Sequence, residues 1–175
     1  MSSPASLKDH PIHPLLITLP VGMWVFSLAS DIIYAAQWGG PVWADVAFYA
    51  MIGGVVGALL AAIPGFVDYF SISDEKTKRT ATKHMVTNLS VVVLYVINII
   101  IRANNPNTAA LPILLSVIGV GAIVYSGWLG GDMVYEHGMA VELEADGRLA
   151  KGRPRPYEPA GQGKVVTTPE RRAAH

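Results

Sequence analysis

The chain contains no cysteine. Disulfides, thiolate metal sites, cysteine-ligated iron–sulfur clusters and thiol catalysis are therefore excluded. Charge is scarce as well. Asp, Glu, Lys and Arg make up 15% of the 175 residues, against about 25% in a soluble domain. There is no basic surplus either, because the formal net charge is zero, and this argues against a nucleic-acid partner. The segment 1–9 lacks the basic start and small-residue cleavage site of a secretory signal, so the first apolar stretch is expected to be a retained helix. A nucleophile elbow is missing too: Tyr125-Ser126-Gly127 lacks the Gly-x-Ser-x-Gly frame, which disfavours a hydrolase.

What the chain has in quantity is apolar sequence, 51% of residues with a mean hydropathy of +0.38. A membrane-spanning helix needs about 20 mostly apolar residues. Four stretches meet or approach that length, at 15–36, 44–70, 85–101 and 111–134. Gly39-Gly40-Pro41 and Asn104-Asn105-Pro106-Asn107 interrupt the pattern as helix-ending sequences do. Short connections favour antiparallel neighbours. The fold class read here is all-α, an integral membrane antiparallel four-helix bundle whose apolar flank contacts the lipid bilayer.

Orientation follows from Lys and Arg in the loops. Lys76, Lys78, Arg79 and Lys83 precede the third span, and seven Lys or Arg residues follow position 147. The first loop has none and the third only Arg102. Both termini are expected on the cytoplasmic side of a bacterial inner membrane. The domain reading is a lead-in segment at 1–14, a four-helix domain at 15–142 and a flexible cytoplasmic tail at 143–175, rich in Pro, Gly and charge. Trp24, Trp38, Trp43 and Trp128 suggest a partial aromatic belt, although the position of Trp24 within the first span is deep for such a place.

With this topology, His10, His13, His84 and His137 fall at one membrane face, with Asp68, Asp132 and Glu136 at the same level. Ionisable groups at the edge of a span are costly and are candidates for function. In His10-Pro11-Ile12-His13-Pro14 each histidine precedes a proline, which disfavours α geometry there, so an extended and stiff lead-in is expected. His13, His84 and His137 are the candidate cofactor ligands, for haem b or, together with Asp68, Asp132 and Glu136, for a metal ion. Small residues line one face of the second span at Gly57, Ala61 and Gly65, a pattern for close helix approach or for seating a flat cofactor. On the outer side, Asp31 and Arg102 lie at similar depth, where they could pair in a structural role.

Two motifs, His10-Pro-Ile-His-Pro-Leu-Leu-Ile-Thr-Leu-Pro-Val-Gly22 and Gly127-Trp-Leu-Gly-Gly-Asp-Met-Val-Tyr-Glu-His-Gly138, resemble the bacterial membrane proteins of domain-of-unknown-function family 2231. The matching positions are His13, Pro14, Pro20 and Gly22, then Gly130, Gly131, Tyr135, His137 and Gly138. The resemblance implies a four-helix membrane domain without an assigned catalytic residue. Some relatives are joined to Rieske-type or cytochrome c domains, which implies a redox setting. Three functions are carried forward. The first is a small membrane redox or cofactor-binding subunit working by one-electron transfer. The second is a non-catalytic accessory subunit of a larger complex or homo-oligomer. The third is an oligomeric transporter or proton conductor using Asp31, Asp68 and Asp132.

Overall fold

The structure, a computed structural model, describes residues 4–8, 10–105, 110–136 and 138–139. His137 and the expected tail at 143–175 lie outside these residues. A short antiparallel pair, β1 (Ser6–Leu7) with β2 (His10–Pro11), leads into α1 (Ile12–Leu16). Then come α2 (Thr18–Ala35), α3 (Val42–Ser71), α4 (Glu75–Asn104) and α5 (Ala110–Tyr135). Among the described residues, four helices, counting Ile12–Ala35 as one, are long and apolar enough to cross a membrane. Helix α2 packs on α3 and α4 on α5, while α3–α4 and α2–α5 contacts close the bundle. The all-α membrane bundle read from the sequence is the fold observed.

Each boundary has a local cause. Pro20 has no N–H to give to the carbonyl of Leu16, and the helix breaks at Ile17, between α1 and α2. Gln37 ends the first span from the left-handed region, at φ 58°. Its N–H donates to Tyr34 O and that of Trp38 to Ile33 O, the two bonds of a Schellman ending. Asp74 opens α4, its carboxylate accepting from Thr77 N at 2.8 Å and Thr77 Oγ1 at 2.7 Å. That cap and the Glu75–Arg79 pair one turn on make residues 75–84 helical. The sequence reading treated them as a loop, because their charge hides the helix from a hydropathy window.

Two further expectations change. His10–Pro11 is extended, but His13 is helical within α1. Pro14 sits in the first turn, where a missing N–H leaves no bond unmade. Trp24 is not part of an aromatic belt. It is 4% exposed, lies parallel on Tyr95 at 4.4 Å between ring centres, and donates from Nε1 to Met51 O at 3.2 Å. Trp38 and Trp128, by contrast, are 79% and 73% exposed.

Lipid offers little hydrophobic drive for one helix to seek another, so small residues and interhelical hydrogen bonds hold such a bundle. A Cβ at Gly54 would lie 2.3 Å from the Trp24 ring, and one at Gly119 would lie 2.7 Å from Tyr95. The inward face of α4 carries Tyr95, Asn98 and Arg102, one every three or four residues. Asn98 donates to Pro112 O and Ser116 Oγ and accepts from Arg102 Nε. Arg102 also grips both oxygens of buried Asp31, at 2.7 and 2.6 Å, as the sequence led us to expect.

Candidate functional site

At the end of the bundle where the chain enters its first helix, α1, α3, α4 and α5 surround a cavity of about 750 Å³. Its lining is mainly apolar: Phe66, Met85, Leu89 and Met133 stand beside the small residues Gly65 and Gly130. His13, His84, Asn88 and Asp68 supply much of the polar surface, and among the described residues no Lys or Arg lines it.

His13 reaches the cavity from α1 and is pinned by α3. Its Nδ1 donates to Ala61 O at 2.8 Å. A helix carbonyl is normally taken by the N–H four residues on. Here Pro64 lies inside α3, has no N–H, and crowds the carbonyl four residues back. The carbonyl that Pro64 leaves without an N–H partner is that of Leu60, the neighbour of the Ala61 O that the imidazole takes. Gly65 leaves room for the ring, since a Cβ there would sit 2.8 Å from His13 Nδ1.

His84 enters from α4 in a mirror arrangement. Its Nδ1 donates to Ser126 O of α5 at 2.9 Å, with Ser126 Oγ also at 3.0 Å. Asn88 donates from Nδ2 to His84 Nε2 at 2.9 Å, and Ser126 Oγ donates to Asn88 Oδ1 at 2.9 Å. The rings of His13 and His84 stand 6.3 Å apart between centres, with planes at 84°. With its Nδ1–H held by a backbone carbonyl, His13 keeps Nε2 as a ligating atom, whereas Nε2 of His84 already accepts from Asn88.

The other sequence candidates separate. Asp68 lines the cavity and its Oδ1 accepts from Ala5 N at 3.2 Å. Asp132 is not among the lining residues, and Glu136 is exposed. His10 is exposed and bonded to Lys8 O. Among the described residues, no three His, Asp or Glu side chains are grouped to hold a metal ion. The sequence reading does not include Asn88 or Pro64, and it weighs Ser126 only as a nucleophile. The signal for Asn88 was its place one helical turn after His84, inside an otherwise apolar span. For Pro64 it was a proline deep inside a span.

The family model of predicted membrane proteins DUF2231 matches residues 9–143, a stretch that contains every residue of this site described above except Ala5 and Lys8. The chain belongs to the DUF2231 family. No curated protein and no solved structure shows significant similarity to it. The site of this DUF2231 protein is therefore read from its own geometry. Two imidazoles, carried by α1 and α4, face one largely apolar chamber at the end of a multi-pass membrane bundle.

Proposed function

We propose that this DUF2231 protein is a small membrane redox subunit whose cavity would hold a b-type haem, with His13 and His84 as the residues that would bind its iron. The observation that carries the reading is the pair itself. A metal held between two Nε2 atoms at about 2 Å each separates ring centres by about 6 Å once the ring radii are added. The rings here are 6.3 Å apart, each with Nδ1 tied to a carbonyl.

The cavity suits a large flat occupant. A Cβ at Gly127 or Gly131 would meet nothing within 4 Å, so glycine at these wall positions leaves open space. Two donors are enough for a haem, whose macrocycle supplies the other four. A mononuclear ion would want three or four protein ligands, so haem fits the described residues better. The acidic groups of a haem would have to lie toward the hydrated mouth, since Asp68 is the charged side chain on the wall. The lysines at the start of α4 support placing this end on the cytoplasmic side.

When bound, the group would supply one-electron chemistry. The protein's part is to fix the imidazoles, exclude water through the apolar wall and so set the potential. A pyridine-haemochrome assay on protein purified from haem-replete cells tests the reading. About one haem b per chain is expected, with loss on His13→Ala; a haem-free protein would contradict it. That outcome would favour an accessory subunit, for which the closed hydrogen bonding of His84 with Asn88 and Ser126 would be purely structural.

A further inference from the structure

Helix α4 is longer than its apolar run. Its 30 residues span about 45 Å at the usual helical rise, against about 30 Å for the hydrocarbon core of a bilayer. The surplus lies at the charged start, 75–84, ahead of the apolar stretch that opens at Met85. That start therefore stands at the level of the headgroups. Its cations do not all point one way. Lys78 turns toward α3, donating from Nζ to Tyr69 O at 2.5 Å and lying over the Tyr69 ring. Lys76, Arg79 and Lys83 are exposed. They recur at intervals of three and four residues, which places them on one face of the helix. The same intervals run on through exposed Val86, Ser90, Val93 and Ile97. The basic face and the apolar face that meets the lipid chains are thus one continuous stripe.

We propose that this stripe is a docking surface for an anionic phospholipid of the leaflet at that end. The headgroup phosphate sits between Lys83 and Arg79, with Lys76 above them, and an acyl chain runs along Val86 and Val93. Charge complementarity selects the occupant. Among the described residues, Lys76 and Lys83 make no ion pair, and the acid paired on this face is Glu75, bonded to Arg79 at 2.6 Å. Three cations against one carboxylate leave a surplus that suits a lipid of net negative charge over a zwitterionic one. Arg79 has five N–H donors, so it can serve a phosphate without releasing Glu75. Neither the three cations nor Val86 and Val93 line the His13–His84 cavity, so the proposal stands apart from the haem reading.

The chain has no cysteine, so a fluorophore on Val86→Cys reports on this stripe alone. The labelled protein is reconstituted in phosphatidylcholine vesicles with a minor fraction of nitroxide-chain phosphatidylglycerol or nitroxide-chain phosphatidylcholine as quencher. Both leaflets carry the quencher, so the outcome does not depend on orientation. Phosphatidylglycerol should quench more strongly, and its advantage should fade in concentrated salt as the charges are screened. Lys83→Gln should lower the relative affinity about fivefold, the effect of one cation at such a surface. Glu75→Gln should raise it. Lys78→Gln, which removes the cation turned toward α3, should leave it unchanged. Equal quenching by the two lipids, as a merely solvated basic face would give, would overturn the proposal. So would a preference that Lys78→Gln erodes as much as Lys83→Gln, since the net charge of the segment would then be its cause. Quenching by neither lipid would assign the face to a second copy of the chain and equally rule out a lipid there.

Discussion

His13 and His84 lie 71 positions apart in sequence, yet their rings meet at 6.3 Å with planes nearly perpendicular, each held through Nδ1 by a carbonyl of a third or fourth helix. The pair ties α1 and α4 to α3 and α5 at one level of the bundle. Its removal should therefore be felt in binding before it is felt in folding.

The seat of His13 can be tested without touching the imidazole. Gly65→Ala puts a methyl where 2.8 Å separates it from Nδ1, and the ring cannot give way because Ala61 O holds that atom. Haem content should fall at least several-fold while the detergent-purified protein still elutes as a single species. Unchanged content would place the binding site elsewhere.

The chamber can be filled from its far wall. Gly131→Leu projects into open space at a lining position, so it should leave thermal stability within about 1 kcal/mol and still lower haem occupancy. If occupancy is unaffected, the chamber is not where the cofactor sits.

At the other end, Arg102→Leu should destabilise by about 3–5 kcal/mol, because it leaves the Asp31 carboxylate buried without its partner. The double change Arg102→Leu with Asp31→Leu should recover most of that loss. Denaturation of the two variants in mixed micelles measures the difference. Equal stability of single and double variants would show that the bidentate contact carries little.

Orientation can be read by single-cysteine labelling, since the native chain has no cysteine. Ser73→Cys, beside the lysine-rich start of α4, should react with an impermeant maleimide only from the cytoplasmic side. Gly40→Cys should react only from the opposite side. The reverse pattern would invert the topology and place the His13–His84 cavity at the outer face.

Much of this architecture was legible because the bilayer enforces it: runs of apolar residues long enough to span, broken by Gly–Pro and Asn–Pro, have few other folds open to them. Asp31 and Arg102 could be paired from depth alone. Residues 75–84 escaped a hydropathy reading because a helix stabilised by the Asp74 cap and the Glu75–Arg79 pair need not be apolar. His13 and His84 could be placed at one level, but not in contact, since the rotation of each helix about its axis is absent from a span boundary. The Asn88–Ser126 ring was hidden for the same reason. Its members look like isolated polar residues until α4 and α5 are turned to face each other. Trp24, whose place in the first span is already deep for an aromatic belt, packs on Tyr95 in the core because Gly54 leaves space for its ring.

The most direct test of the central claim is a dithionite-reduced minus oxidised absorption spectrum of the protein purified from haem-replete cells, beside His13→Ala prepared identically. The account predicts a Soret band with reduced α and β bands in the wild type, lost from the variant although it still folds. A featureless wild-type spectrum, or one that His13→Ala leaves intact, would contradict it.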